Sequence, residues 1–253
     1  MIKLVSKDWI IENVETVLFD KDGTFIDLHY FWGKMTEMRA KEVIKRFCLS
    51  ESHFALICEI LGYDVISKKM YSDGITALYS RVKIIEIFVE KMKDFQVFTT
   101  EAEIVGIFDY VSEEFYKKIN EYTKPIHDAI EFIKELHSKG AKLGIVTSDS
   151  VESTNITLKY FAWEYLFDVV IGRESSKETK ESGVPSRLAL DKLNAKLDST
   201  IMIGDAPMDS ISAQNAGITR TVLVATGKVG VNELKMYSPF VLESLGDLEC
   251  LKI

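Results

Sequence analysis

The segment Val14–Thr24, VETVLFDKDGT, determines how the rest of the sequence is interpreted. Its first half is short, apolar and rich in β-branched side chains, which predicts a buried strand over residues 14–20. Ligands of an open parallel sheet bind beyond the carboxyl ends of its strands. Because Asp20 and Asp22 lie where this strand ends, their carboxylates are predicted to belong to such a site.

A long helical stretch separates this first strand from the rest of the predicted sheet. Over residues 28–122 apolar side chains recur at helical spacing, and no segment there is a convincing strand. Thr100 and Glu103 form a capping box, which predicts the start of one of these helices. After this stretch, short apolar runs alternate with amphipathic segments, a pattern typical of a parallel sheet covered by helices. The sequence therefore predicts an α/β domain into which a helical block is inserted.

Composition excludes several classes of protein. The 253 residues include 31 Lys and Arg against 39 Asp and Glu, and the net charge of −8 leaves no basic excess for nucleic-acid phosphates. A hydrophobic fraction of 47% argues against wholesale disorder. No apolar run approaches the roughly 20 residues of a membrane span. Three cysteines without a CxxC pair predict reduced thiols, and the N-terminus has no targeting signature, so a cytoplasmic protein is expected.

Two further predicted strands end in side chains suited to phosphate chemistry. Asp205 follows one strand, and Asp209 lies four residues on, so helical spacing lets both face one site. Carboxylate oxygens are ligands that Mg²⁺ prefers, together with waters and substrate phosphate. The competing interpretation makes Asp205 the start of a helix and Asp209 a solvated acid in its first turn. Thr147 ends the other strand, where its hydroxyl could donate to a phosphate oxygen.

The roles of the two acids in the first motif can differ. Asp20 could attack phosphorus as a nucleophile, and Asp22 could protonate the leaving oxygen and then activate water. So many carboxylates need a nearby cation if an anionic phosphate is to bind. Lys177 and Lys180 lie in the loop after the strand predicted at 168–171, and the choice between them stays open.

Gly23 and Thr24 complete the first motif. Without a Cβ, Gly23 allows backbone amides to approach a phosphate closely. Thr24 offers a hydroxyl and a backbone amide that would stabilise the turn. Because Asp and Gly also dominate ordinary turns, a simple turn is the competing interpretation.

Taken in chain order, these motifs resemble those of the haloacid dehalogenase superfamily, in its phosphatase branch with a helical cap. DKDGT matches the first motif, Thr147 in IVTSD the second, Lys180 the third, and IGDAPMD the fourth. The helical block resembles the cap of the phosphoglycolate phosphatase and β-phosphoglucomutase branch. There are two departures: the third motif of that branch often reads Lys-Pro-x-Pro, and its second usually has Asn where Ser148 stands.

The resemblance implies a Rossmann-like three-layer core with a parallel sheet at residues 1–27 and 123–253, and an all-helical cap domain at residues 28–122. It implies a Mg²⁺-dependent phosphatase that hydrolyses a small monoester, phosphoglycolate-like or sugar-phosphate-like, through an aspartyl-phosphate. Asp20 would be the nucleophile and Asp22 the general acid and base. The implied metal ligands are Asp20, the main-chain carbonyl of Asp22, Asp205 and Asp209. The implied phosphate-binding residues are Thr147, Ser148, Lys180, Gly23 and Thr24.

Two other functions stay open on sequence grounds. A phosphomutase of the β-phosphoglucomutase type keeps both acids of the first motif, so the motifs do not separate it from a phosphatase. A non-catalytic regulatory module on the same fold is disfavoured, because every chemical position is filled. The expected partner is a small phosphorylated metabolite, with no nucleic acid and no membrane. Monomer and homodimer are both compatible with the sequence.

Overall fold

The computed structural model describes all residues, 1–253, and contains eleven β-strands and eleven α-helices. The strands in chain order are β1 (Ile2–Val5), β2 (Ile10–Val14), β3 (Thr16–Phe19), β4 (Tyr63–Asp64), β5 (Lys69–Met70), β6 (Lys142–Val146), β7 (Val169–Ile171), β8 (Thr200–Gly204), β9 (Thr221–Val224), β10 (Phe240–Leu242) and β11 (Glu249–Lys252). The helices in chain order are α1 (Leu28–Arg46), α2 (Phe54–Ile60), α3 (Ile75–Leu78), α4 (Arg81–Met92), α5 (Glu101–Lys117), α6 (Ile119–Tyr122), α7 (His127–Ser138), α8 (Val151–Tyr160), α9 (Val184–Leu193), α10 (Pro207–Ala216) and α11 (Val231–Leu234).

Six parallel strands form the main sheet, in the order β10-β9-β8-β3-β6-β7. Every residue of β3, β8 and β9 is buried. Since successive side chains of a strand point to opposite faces, this burial means that both faces of the sheet are covered. The α/β, Rossmann-like architecture predicted from the sequence is therefore confirmed.

Packing and register fix the ends of the three central strands side by side. Helices α9 and α10 contribute to one buried apolar cluster that includes Leu18 of β3 and Met202 of β8. Each such side chain stabilises the fold by about 1.5–3 kcal/mol on full burial. Phe19 of β3 pairs with Ile203 on one side and with Ile145 on the other. The loops that follow β8, β3 and β6 therefore start at the same edge of the sheet.

A second sheet joins the two termini of the chain and was not predicted. It is antiparallel, in the order β11-β1-β2, and pairs Ile2 with Lys252. Its apolar side chains Ile2, Leu4 and Cys250 are buried. The partners lie at opposite ends of the sequence, and four-residue strands show too little alternation to be recognised.

Contacts divide the chain into two compact units, one of residues 1–27 with 125–253 and the other of residues 28–124. The larger unit contains both sheets described above, and the smaller unit contains helices α1 to α6. The expectation that residues 28–122 are all helical needs one correction. Strands β4 and β5 form a small antiparallel hairpin there, in which Tyr63 pairs with Met70. Strands of two residues have no period that a sequence pattern could reveal.

Aromatic packing between helices forms the interior of the smaller unit. The rings of Phe31 and Phe115 lie 4.9 Å apart, in an edge-to-face arrangement, and join α1 to α5. The predicted capping box at the start of α5 is present, since the amide of Glu103 donates to Thr100 Oγ1 and the amide of Thr100 to Glu103 Oε2. Across the whole chain, no helix has both the length and the apolar character that crossing a bilayer requires.

Candidate active site

The loop after β3 forms a tight turn at the edge of the sheet. The amide of Asp20 donates to the carbonyl of Ile203 at 2.9 Å, which ties the end of β3 to β8. Gly23 has φ +94°, a left-handed conformation that side chains with a Cβ rarely adopt. A Cβ at Gly23 would also lie 2.3 Å from Asp205 Oδ2, and the hydroxyl of Thr226 donates to the Gly23 carbonyl at 2.6 Å. Glycine is thus required here for its conformation and for the close approach of Asp205.

Lys180 brings a positive charge to this edge. Its Nζ lies 2.5 Å from Asp20 Oδ1 and 2.6 Å from Asp209 Oδ1, and only 7% of the residue is exposed. Burial alone would lower the pKa of Lys180, but the charges of Asp20 and Asp209 outweigh it and hold that pKa above its usual range. Lys177 is exposed and forms no ion pair. The geometry therefore favours Lys180 over Lys177 as the lysine of the site.

Three carboxylates gather beside Lys180. One oxygen each from Asp20, Asp205 and Asp209 lies within 4.8 Å of the others. Asp205 follows β8 directly, and Asp209 lies in the first turn of α10, where its Oδ2 accepts the amide of Ala206 at 3.0 Å. Burial raises the pKa of Asp209 to about 6, although Lys180 opposes the shift. Burial, together with Asp20 and Asp209, raises the pKa of Asp205 well above its ordinary value.

The three carboxylates are a suitable donor set for Mg²⁺, which prefers oxygen ligands. Asp205 is buried, forms no ion pair, and accepts one long hydrogen bond of 3.5 Å from Thr24 Oγ1. A buried carboxylate that has no ion pair and only a weak hydrogen bond would be stabilised by a nearby cation. A Cβ at Gly227 would lie 1.7 Å from Asp205 Oδ2, so the main chain at Gly227 also lies very close to this carboxylate. The carboxylate of Asp22 is not part of this group of three. Its Oδ1 lies 2.7 Å from Lys21 Nζ instead.

The loop after β6 adds a hydroxyl at the neighbouring strand end. Thr147 Oγ1 accepts the amide of Asp149 at 3.1 Å, so the hydrogen of the same hydroxyl can be donated to another acceptor. Thr147 is buried, whereas Ser148 is exposed, with its Oγ 3.8 Å from Met208 Sδ. Of these two predicted phosphate-binding residues, the structure brings Thr147 to the protected edge and leaves Ser148 at the surface.

Three charged residues at this edge were given no role from the sequence: Lys21, Asp149 and Lys228. Lys21 has no exposed surface, and its Nζ lies 2.7 Å from Asp22 Oδ1 and 3.0 Å from Asp149 Oδ2. Lys228, in the loop after β9, opposes the rise in the pKa of Asp205, while burial lowers the pKa of Lys228 itself. A search of every loop at the carboxyl ends of the predicted strands would have found Lys228.

Known proteins similar to this chain place it in a family. The profile of the haloacid dehalogenase-like hydrolases matches residues 17–223. Pyrophosphatase PpaX of Bacillus mycoides is 26% identical over 236 residues, which cover 93% of this chain and 95% of that protein.

Solved structures show the same fold. A predicted phosphoglycolate phosphatase of Haemophilus somnus superposes with a TM-score of 0.70 at 17% identity, over 94% of this chain and 97% of that one. A candidate β-phosphoglucomutase of Thermotoga maritima gives a TM-score of 0.68 at 18% identity, over 92% of this chain and 96% of that one. Because the family profile spans most of the sequence, this chain belongs to the haloacid dehalogenase-like hydrolases, and a phosphatase function is supported.

Proposed function

We propose that this protein is a Mg²⁺-dependent phosphatase that hydrolyses a small phosphate monoester through an aspartyl-phosphate on Asp20. The observation that carries this proposal is the buried cluster in which Lys180 lies between Asp20 and Asp209, beside Asp205. An anionic phosphate can approach carboxylates only where cations neutralise the repulsion, and phosphoryl transfer depends mainly on such positioning and neutralisation. The phosphatase and pyrophosphatase names of similar proteins support the same class of reaction.

Asp20 is the proposed nucleophile. The ion pair with Lys180 holds its carboxylate at the strand end, so that the nucleophile is already oriented before substrate binds. As the new oxygen–phosphorus bond forms, the bond between phosphorus and the leaving oxygen breaks. The product of this step is an aspartyl-phosphate, which water then hydrolyses.

Asp22 is the proposed general acid and base. It would protonate the leaving oxygen in the first step and take a proton from the attacking water in the second. Burial raises the pKa of Asp22 to about 6, with Lys21 opposing the shift. A carboxyl with a pKa near the working pH can both hold and release its proton, as the two steps require.

The other polar groups at the sheet edge would hold the metal and the phosphate. The proposed metal ligands are Asp20, the Asp22 carbonyl, Asp205 and Asp209. The proposed phosphate-binding residues are Thr147, Ser148, Lys180, Gly23 and Thr24. When bound, Mg²⁺ would neutralise charge on the carboxylates and on the substrate phosphate. The ammonium of Lys180 and the hydroxyl hydrogen of Thr147 would donate to phosphate oxygens.

We further propose that the larger unit is the catalytic core and that residues 28–124 form a cap that selects the substrate. All the residues assigned to the chemistry lie in the larger unit. The smaller unit contributes none of these residues, and we therefore assign substrate selection to it.

Phosphate release from a panel of small compounds, with Mg²⁺ and with a chelator, tests the proposal. The panel contains phosphoglycolate, sugar phosphates, nucleotides and inorganic pyrophosphate, the last because similar proteins are named pyrophosphatases. We expect Mg²⁺-dependent release of phosphate from at least one compound. A phosphorylated isomer as product would instead indicate a mutase. Metal binding without any turnover would favour the regulatory module.

The variant Asp20→Asn tests the nucleophile. It keeps the shape of the side chain but replaces the nucleophilic carboxylate by a weakly nucleophilic amide, so kcat should fall at least about a thousandfold while circular dichroism still shows a folded protein. Asp191→Asn, at an exposed aspartate of α9, is the matched control and should keep full activity. Undiminished Mg²⁺-dependent activity of Asp20→Asn would refute the assignment.

A further inference from the structure

The proposed chemistry leaves two buried charges at the site without a role, Lys21 and Asp149. Lys21 is fully buried, and its ammonium lies between Asp22 Oδ1 at 2.7 Å and Asp149 Oδ2 at 3.0 Å. Removing an ammonium from water is costly, and apolar residues in place of an entire buried ion pair often leave a protein equally or more stable. The position of Lys21 between these two acids therefore points to a role beyond packing.

Asp149 is itself held firmly. Ser153 Oγ donates to its Oδ2 at 2.6 Å, and the amide of Ser150 donates to its Oδ1 at 2.7 Å. Only 7% of Asp149 is exposed, and the residue belongs to the loop after β6, the strand beside β3. A continuous chain of contacts thus runs from the start of α8 through Asp149 and Lys21 to Asp22.

We propose that Lys21 and Asp149 are positioning residues that fix Asp22 Oδ1, so that Asp22 Oδ2 is the atom that exchanges the proton in catalysis. This inference rests on the proposed function. A charge-assisted hydrogen bond to one carboxyl oxygen leaves the acidic proton on the other and restrains rotation of the group. A general acid must present that proton at hydrogen-bond distance and in the right orientation.

The proton balance follows from this arrangement. As the bond between phosphorus and the leaving oxygen breaks, the proton of Asp22 Oδ2 moves to the leaving oxygen. When water attacks the aspartyl-phosphate, the same oxygen of Asp22 takes a proton from that water. Lys21 keeps its own protons throughout and acts only through Asp22.

Lys21→Met and Asp149→Asn test this inference. Both are close in shape to the wild-type side chains, and Asp149→Asn preserves the backbone bond to Thr147. The rates are compared on an alkyl phosphate from the substrate panel and on p-nitrophenyl phosphate, whose leaving group departs without being protonated. The ratio kcat/KM reports the steps up to that departure. We expect kcat/KM to fall about 10- to 100-fold for the alkyl phosphate, through kcat rather than KM, and less than about threefold for the aryl phosphate.

A second measurement uses the Asp22→Asn background. If Lys21 acts through Asp22, then Lys21→Met should cause no further loss once Asp22 is neutral, which is the signature of two residues that work as one unit. Lys21→Met leaves two buried acids without their cation and could fold poorly. The double variant Lys21→Met with Asp149→Asn removes one of those acids and should show the same selective loss.

Lys142→Met is the matched control. Lys142 begins β6 at the end opposite Thr147, and its Nζ donates to the carbonyl of Leu193 at 2.8 Å. Both rates should be unchanged in this variant. Equal losses on the two substrates, or a further loss in the Asp22→Asn background, would overturn the positioning role. In that event an inactive Asp20→Asn would still support the proposed function, whereas an active Asp20→Asn would remove its basis.

Discussion

The two units of the molecule accommodate buried positive charge in opposite ways. In the larger unit, Lys180 and Lys21 each lie within 3.0 Å of two carboxylate oxygens from different residues. In the smaller unit, Arg39 is as buried as Lys180, at 7% exposed, yet no carboxylate lies at ion-pair distance. Its guanidinium lies over the ring of Phe108, 4.3 Å from the ring centre.

We propose that this difference separates the charges of the catalytic site from a charge that serves packing. Burial, with a contribution from Arg81, lowers the pKa of Arg39 to about 10, and Arg39 Nε has no hydrogen-bond partner. Lys21 and Lys180 of the larger unit instead have pKa values above their usual range, because the neighbouring carboxylates outweigh burial. Paired charges at the carboxyl ends of parallel strands therefore mark the site. Replacing a buried cation by methionine, once in each unit, tests whether only the paired cation is essential.

The largest effect is expected from Lys180→Met. Methionine keeps most of the length of lysine, but Asp20 and Asp209 would then face each other without a cation. Removing one partner of a buried ion pair should lower the free energy of unfolding by about 3–5 kcal/mol. The same loss of charge at the phosphate should lower kcat/KM at least about a thousandfold. Urea unfolding and steady-state kinetics measure the two effects.

Lys177→Met is the control for this variant, because Lys177 lies in the same loop but is exposed. It should keep both the stability and the activity of the wild type. The opposite pattern, with Lys177→Met inactive and Lys180→Met active, would reverse the assignment of the phosphate-binding lysine.

A smaller effect is expected in the dependence of stability on pH without metal. Burial raises the pKa of Asp22 and of Asp209 from 3.8 to about 6. Because both pKa values are higher in the folded protein than in the unfolded chain, protonation of these two carboxyls stabilises the fold. This stabilisation is fully present below about pH 4 and is lost as the pH rises through about 6. Each proton released changes the free energy of unfolding by up to about 1.4 kcal/mol per pH unit.

Urea titrations in chelator across this range, on wild type and on Asp209→Asn, isolate the contribution of one carboxyl. The wild type should lose more stability than the variant as the pH rises, since the amide of the variant has no proton to release. Mg²⁺ should then stabilise the wild type more at pH 7 than at pH 5, because its ligands must be ionised. If the free energies of unfolding of the two proteins changed in parallel with pH, burial would not raise the pKa of Asp209.

The positions of Asp20, Thr147 and Asp205 could be predicted because each ends a strand of a parallel sheet. The strand order β8-β3-β6 then brings the three loops together. The choice between Lys177 and Lys180 could not be made from the residues alone, since a loop has no periodicity that shows which side chain turns inward. The ion pairs of Lys180 with two acids supply that information.

The pairing of Lys21 with Asp149 was missed for a related reason. Its two residues lie in loops after different strands, and their contact depends on the adjacency of β3 and β6 rather than on local sequence. The terminal sheet and the β4–β5 hairpin were missed because their strands are partly exposed and too short to show alternation, whereas the equally short strands of the main sheet are continuous apolar runs. Long helices such as α5, with its capping box, have both a period and a start signal, and they were predicted.

The smallest effect is expected from Arg39→Met, the counterpart of Lys180→Met in the smaller unit. The variant loses a cation–π contact with Phe108 worth about 1–2 kcal/mol, but it also removes a buried Nε whose missing hydrogen bond costs about 1–3 kcal/mol. The thioether of methionine can still pack on the ring. The free energy of unfolding should therefore stay within about 1 kcal/mol of the wild type, and kcat/KM should be unchanged. A loss of stability as large as that of Lys180→Met would mean that a buried cation needs no carboxylate partner to be essential, and paired charge would then no longer distinguish the site from the interior of the smaller unit.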